Sequence, residues 1–377
     1  MSERLRVAVV DHCAQLSGAE LGLVDLLPAL DVHAHVILGE YGPLVPELRS
    51  AGIEVEILEL PATMRNVRRD SLLRVRAGVE SVASAVRLAR HLRTLGVDVV
   101  LTNSLKAAIY GGFAGRSARR PVVWNIQDRI SADYLPRHVV WLVRGLARVV
   151  PNGLIANSRA TLATLPRRKC VAVLPSPVSA SAAPRLPSSD DRPLTVGIVG
   201  RLAPWKGQLL FLDAFDRAFR HGDERAVIVG GALFGESAYA ARVSERIAEL
   251  GLTSRVTLTG HVRDVHEVLA QLDVLVHAST IAEPFGRAVV EGMAAGLPVV
   301  AANDGGPAEV ISHGEDGMLY ERCDVDALSI ALRELAEDPG LRVRLGRAAV
   351  ARAADFRPEV VAQGFSTLLH QIADRRR

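Results

Sequence analysis

Glu283-Pro284-Phe285-Gly286-Arg287-Ala288-Val289-Val290-Glu291, continued by Gly292-Met293-Ala294-Ala295-Gly296-Leu297-Pro298-Val299-Val300, is the stretch whose reading decides the fold. It reads as loop, helix, turn and strand. Pro284 and Gly286 forbid a regular helix before Arg287, and the run from Arg287 to Ala295 is helix-compatible. Gly296 suits the left-handed position past the helix end, and Pro298 introduces an extended Val-Val-Ala-Ala run. One glutamate, Glu283, therefore precedes a helix start, and a second, Glu291, lies just inside it.

The first turn of a helix carries unpaired N–H groups and a partial positive charge, a seat for phosphate. Carboxylates are poor phosphate ligands but good acceptors for hydroxyl groups. A helix start flanked by Glu283 and Glu291 thus suits a ligand with phosphate in its middle and polyhydroxylated rings at its ends, as in a nucleotide sugar. The plain alternative is a solvated loop residue and a surface helix residue. The neighbouring motifs favour the ligand.

Those neighbours resemble the retaining glycosyltransferases of the two-Rossmann-domain (GT-B) type, in particular the family-four group. The family signature is a Glu, a Phe-Gly, a second Glu eight residues after the first, and Met-Ala-x-Gly-x-Pro-Val-Val. Here all of it stands, with Gly292 where alanine is usual. Two further motifs follow the family: Gly200-Arg201-Leu202-Ala203-Pro204-Trp205-Lys206-Gly207 and Gly305-Gly306-Pro307-Ala308-Glu309. The resemblance is close in the second half of the chain and loose in the first. It implies an α/β protein of two Rossmann-like doubly wound domains facing across a cleft.

The chain length and patterning agree with two domains. At 377 residues, 49% of them hydrophobic, the chain exceeds what one core usually organises. β-Branched runs alternate with helical stretches at 5–10, 32–38, 53–58, 97–102, 122–126, 153–157 and 171–174. A second alternation places strands at 195–199, 226–229, 255–258, 274–277, 299–302 and 318–320. Such alternation implies parallel sheets, with ligands beyond the carboxyl ends of the strands. The Pro-rich segment 184–193 reads as the linker. The expected division is 1–183 for an acceptor-binding domain, 194–356 for a nucleotide-sugar-binding domain, and 357–377 for a helix returning to the first.

Net charge is +3, unevenly spread: residues 1–185 carry 24 basic against 15 acidic side chains, and the remainder is acidic. No nucleic-acid partner is expected. Cys13, Cys170 and Cys323 offer neither a disulfide framework nor metal-ligand spacing, and are expected to be small buried residues of a reducing compartment. Arg4 and Arg6 lead into Val7–Val10, a run that reads as a first strand rather than a secretory signal. A cytoplasmic location is expected, peripheral to the inner face of the membrane if the basic first half contacts it. The segment 64–95 invites that reading. It intersperses Arg65, Arg68, Arg69, Arg74, Arg76, Arg87, Arg90 and Arg93 with apolar residues at helical spacing, a pattern that suits an anionic membrane or an ordinary domain helix.

The resemblance assigns roles. Arg201 and Lys206 meet the departing diphosphate, Glu283 orients the donor sugar, and Glu291 holds the ribose. Gly18, Gly200, Phe285, Gly286 and Arg287 border the donor, and the backbone at His261 and Val262, in Gly260-His261-Val262-Arg263, borders the nucleobase. Asn103, Gln127 and Asp128, past strand ends of the first half, are candidates for positioning sugar or acceptor. Gln127 stands where the family often has histidine, and glutamine cannot take a proton at neutral pH. Asp128 is the nearby candidate for a base, or else a helix cap or a partner of Arg129. The expected reaction is retaining transfer from a donor such as a UDP- or GDP-sugar to a hydroxyl of a glycan, glycolipid or natural-product precursor. It proceeds on the front face and needs no cofactor and no metal, since no Asp-x-Asp or clustered His/Cys site appears in the sequence. A sugar-nucleotide epimerase and a non-catalytic nucleotide-sugar-binding subunit are the alternatives.

Overall fold

The computed structural model describes residues 4–62, 75–179, 184, 192–232, 235–262 and 264–375. The chain divides into two compact units, Met1–Pro177 with Pro358–Arg377, and Val178–Arg357.

The first unit is built on a parallel sheet of β1 (Arg6–Asp11), β2 (His33–Leu38), β3 (Glu54–Ile57), β4 (Val99–Thr102), β5 (Val122–Ile126), β6 (Gly153–Ala156) and β7 (Val171–Val173). Their order is β3-β2-β1-β4-β5-β6-β7. The second carries β8 (Thr195–Val199), β9 (Arg225–Val229), β10 (Val256–Gly260), β11 (Val274–His277), β12 (Val299–Ala302) and β13 (Met318–Tyr320), ordered β10-β9-β8-β11-β12-β13. Every pairing within these sheets is parallel. All thirteen stretches expected as strands are strands.

Both sheets are buried on two faces, which is why their strands read as continuous apolar runs. Val7 and Val9 join the cluster on one side of the first sheet, and Ala8 and Val10 the cluster on the other. The second sheet alternates likewise, with Val274 and Val276 on one side and Leu275 on the other. In each sheet the order reverses about its first strand, so a crevice opens past the carboxyl ends of β1 and β4 in one unit and of β8 and β11 in the other.

The division between the units falls earlier than expected, at Pro177/Val178 rather than after 183. The reason is packing. Val178 is buried in one cluster with Phe285, Val289 and Phe356, and its N–H donates to the Phe356 carbonyl at 2.9 Å, so the outgoing and returning chain segments are tied together. Residues 185–191 of the expected linker lie outside the described residues. The helix Pro358–Asp374 buries Val361, Phe365, Leu369 and Ile372 in the cluster of Val7, Val9, Leu23 and Leu26, so it is part of the first unit's core.

Arg65, Arg68, Arg69 and Arg74 lie outside the described residues. In the helix Val75–Leu95, Leu88 and Leu92 are buried in the first unit's core, while Arg87 donates to the Glu59 carbonyl and Arg93 to that of Ser117. Val82 and Val86 are the members of the apolar stripe that face solvent among residues whose side chains are described. No described helix is long and apolar enough to cross a membrane. The cysteines are not uniformly buried: Cys170 is, Cys13 is half-buried, and Cys323 is exposed at a turn with φ +66°. Burial, with the nearby charges of Glu20, Asp11 and Glu40, pushes the Cys13 thiol up to about 12.

Candidate active site

In the second unit, the loops leaving β8 and β11 meet at the switch point of the sheet. The loop after β8 runs through Gly200 and Arg201 into a single 3₁₀ turn, Pro204–Lys206, and the helix Gln208–Ala218 follows. Gly207 joins them in the left-handed conformation, φ +74°, and a Cβ there would meet the Ala278 carbonyl at 1.9 Å. Only glycine permits that crossing, which holds the β8 loop against the end of β11. Thr280 N–H donates to the Trp205 carbonyl at 2.8 Å across the same seam.

The seam brings Lys206 to Glu283. Lys206 Nζ donates to Glu283 Oε1 at 2.6 Å, and His277 Nε2 and Ser279 Oγ donate to Oε2 at 2.8 and 2.6 Å. Burial alone would raise the Glu283 carboxyl. The charge of Lys206 and the contacts of His277 outweigh it and hold the group well below the usual carboxylate range. Glu283 is therefore a fixed anion and not a proton donor at neutral pH. Its two oxygens offer about four acceptor sites, of which three are filled, leaving the Oε1 side open to one more hydroxyl.

Arg201 NH1 bonds Glu236 Oε2 at 3.0 Å, and its guanidinium lies 5.4 Å from the centroid of the Trp205 ring, on which Lys206 Nζ also rests at 4.4 Å. Trp205 thus holds both cations beside one aromatic surface. The Gly305-Gly306 turn lies under the Glu283 loop: Gly306 N–H donates to the Glu283 carbonyl at 2.8 Å, and a Cβ on Gly306 would lie 2.3 Å from the Phe285 Cα. The helix Arg287–Ala294 starts from Gly286 at φ +91°, and Gly296 beyond its end has φ +86°, as the sequence pattern requires. Glu291, one turn in, accepts from Arg287 Nε at 2.7 Å on Oε1, which leaves Oε2 for a ligand. The Phe285 side chain is buried against Phe356, ring centroids 5.8 Å apart, so only its backbone can serve a ligand. His261 is exposed and Val262 half-buried past the edge strand β10, next to Gly231; Arg263 lies outside the described residues.

In the first unit a buried polar network occupies the corresponding switch point. Asn103 Nδ2 donates to Asp11 Oδ2 at 2.9 Å, Asn125 Nδ2 donates to Asn103 Oδ1 at 2.9 Å, and His12 Nδ1 stands 2.7 Å from Ser104 Oγ. Gly18 is exposed at the first position of the helix Gly18–Leu26. Glu20, two residues on, is buried and accepts from Ser17 Oγ. Burial first, then the charge of Asp11, pushes its carboxyl up to about 8. Gln127 Oε1 accepts from Asn157 Nδ2 at 3.1 Å and from Ser176 Oγ at 3.0 Å, so its Nε2 hydrogens are the end that can reach a sugar. Asp128 accepts from Tyr134 OH at 2.7 Å, and Arg129 pairs with Asp133 at 3.0 Å.

Arg201, Lys206, Glu283, Gly286, Arg287 and Glu291 thus share one end of the second sheet, and Asn103, Gln127 and Asp128 share one end of the first. Sequence reasoning passed over His277, Ser279, Trp205 and Glu236. His277 and Ser279 had a signal, since His277 ends β11 and Ser279 lies two residues past it, six and four residues before Glu283, a position already suspected of facing the crevice. Glu236 had none.

Residues 183–352 match the family model described as glycosyl transferases group 1. Among curated relatives, the chain is 27% identical over 315 residues to an exopolysaccharide phosphotransferase of Streptomyces coelicolor, covering 78% of this chain but 30% of that protein. It is 26% identical over 305 residues to the lipopolysaccharide core biosynthesis mannosyltransferase LpsB of Rhizobium meliloti, covering 78% of this chain and 82% of LpsB. Among solved structures, Anabaena HepE in complex with UDP and glucose aligns over 99% of both chains, with 28% identity and a TM-score of 0.82. Residues 183–352 thus match the group 1 glycosyl transferases, and the chain over its whole length has the GT-B fold it shares with HepE.

Proposed function

We propose that the chain transfers a sugar from a nucleotide-sugar donor to a hydroxyl acceptor, with retention of anomeric configuration and without a metal ion in the chemical step. The observation that carries the reading is Glu283, a carboxylate kept ionised by Lys206, His277 and Ser279 at the β8/β11 switch point, with one acceptor position unfilled. A fixed anion of this kind orients a sugar hydroxyl and stabilises positive charge growing at the anomeric carbon. Arg201 and Lys206, steadied on Trp205, take the diphosphate together with the start of the helix Arg287–Ala294, which supplies charge that a divalent ion often provides. The leaving phosphate oxygen accepts the proton of the incoming hydroxyl, so no protein base is needed, in keeping with glutamine at position 127. Glu291 holds the ribose hydroxyls, the backbone at His261 and Val262 borders the base, and Asn103, Gln127 and Asp128 of the first unit position the acceptor. HepE, bound to UDP and glucose, makes UDP-sugars the first donors to test, and GDP-sugars the second.

A panel of radiolabelled UDP- and GDP-sugars separates transfer or hydrolysis from epimer interconversion and from binding alone. Arg201→Ala and Lys206→Ala are expected to lose about 10²–10³ in turnover, the usual cost of removing one preorganised partner of developing charge. EDTA is expected to leave turnover unchanged. Turnover abolished by EDTA yet retained in Lys206→Ala would refute the metal-free reading.

A further inference from the structure

We propose a site for a late first-row divalent cation, such as Zn²⁺, at the edge of the first unit's sheet, held by His35, Glu56 and His91. The three come from separate elements. His35 lies mid-strand in β2, Glu56 in the edge strand β3, and His91 on the helix Val75–Leu95. β2 and β3 run parallel with His35 opposite Glu54 and Ile37 opposite Glu56, so side-chain alternation puts His35, Ile37, Glu54 and Glu56 on one face. Ile37 shares a core cluster with Leu88 and Leu92, and that packing lays His91, between them on the helix, over the same edge.

The geometry suits a metal. His35 Nε2 is 3.3 Å and His91 Nε2 2.7 Å from Glu56 Oε2, and the three ligand atoms lie within 4.8 Å of one another. Zinc with bonds of about 2.0–2.1 Å in a tetrahedron sets its ligands about 3.3 Å apart, so the two Glu56 contacts need shifts of a fraction of an ångström and the two imidazoles a closure of at most about 1.5 Å to seat the ion. The other ring nitrogen of His35 supplies an independent pointer. Nδ1 stands 3.1 Å from Glu54 Oε2, so an Nδ1–H donated to Glu54 leaves the Nε2 lone pair directed at the site, the carboxylate–histidine–metal relation that orients imidazole ligands. The two histidines are partly shielded, His35 at 17% and His91 at 23% exposure, while Glu56 at 39% leaves the site within reach of water.

Two imidazoles and one carboxylate select late transition ions over Mg²⁺ and Ca²⁺, which prefer oxygen. The site lies on the β3–β2 edge of the sheet rather than past the carboxyl ends of β1 and β4, so its role is structural: it clamps the helix Val75–Leu95 to the edge strand. It is independent of the transfer reading.

The test uses the full chain stripped with a chelator and then titrated with Zn²⁺ or Co²⁺. One tightly bound equivalent is expected, with a rise in melting temperature and, for Co²⁺, the strong visible band of low coordination number; Mg²⁺ should give neither. His35→Gln and His91→Gln, confirmed folded by circular dichroism, should lose the band and the thermal shift. Glu54→Gln should weaken binding about 10–100-fold, the usual cost of removing a partner behind a ligand. Absence of a tight equivalent in the folded chain, or a band unchanged in both histidine variants, overturns the site and leaves two histidines simply paired with Glu56.

Discussion

Lys206→Met removes the counter-ion of a buried carboxylate, and its consequences can be worked from the distances. Lys206 Nζ and Glu283 Oε1 are 2.6 Å apart, with side chains 15% and 11% exposed. Breaking one partner of such a pair costs about 3–5 kcal/mol when the remaining charge has no other support. His277 and Ser279 still donate to Oε2, so a loss nearer 2–3 kcal/mol is expected, about 5–10 °C in melting temperature for a unit of this size. The pH dependence follows from the same contacts. In the wild type the depressed Glu283 pKa contributes stability above its unfolded value, lost as pH falls through the folded one. Without Lys206 the folded pKa rises, and protonation relieves the buried charge sooner. The gap between wild type and variant should therefore be widest near neutrality and shrink toward about pH 4. Adding Glu283→Gln to Lys206→Met should recover most of the stability while turnover falls further than the about 10²–10³ lost with Lys206 alone, because the diphosphate partner and the sugar-orienting carboxylate are then both missing. Thermal unfolding across pH, beside a donor-turnover assay, reads both quantities. A Lys206→Met protein as stable as wild type at neutral pH, or a double variant that loses the plain sum of the single losses, refutes the reasoning.

Glu20, with its carboxyl raised to about 8 by burial and Asp11, stabilises the fold fully below its unfolded value near 4.5 and progressively less as pH rises through about 8. Glu20→Gln should therefore gain melting temperature on the wild type between about pH 6 and 9, and parallel pH curves would count against a neutral Glu20. Gln127→Ala should lower turnover by releasing Asn157 and Ser176 and misorienting substrate, whereas Asp128→Asn should keep a bond-forming step; loss of all chemistry in Asp128→Asn, with donor binding intact, would instead identify a carboxylate base. With Leu88 and Leu92 in the core and Arg87 and Arg93 donating to backbone carbonyls, flotation with anionic liposomes should not exceed that with neutral ones. Selective flotation with the anionic vesicles would restore the membrane contact.

Much of the molecule is written in its local chemistry. Thirteen strands follow from short β-branched runs between turn residues, and the helix after Gly286 follows from Pro284, Gly286 and Gly296, because dihedral preference and hydrophobic periodicity act between near neighbours. The loop positions of Arg201, Lys206 and Glu283 were legible for the same reason. Their pairing was not. Lys206 and Glu283 are 77 positions apart and meet only because β8 lies beside β11 in the sheet order, which also delivers His277 and Ser279 to the same carboxylate. His35, Glu56 and His91 carry no recognisable spacing, since one strand edge and one helix face assemble them. The division at Pro177/Val178 likewise escaped a composition-based reading. It depends on where Val178 finds its core, with Phe285 and Phe356, and burial against distant residues leaves no mark on the adjacent sequence.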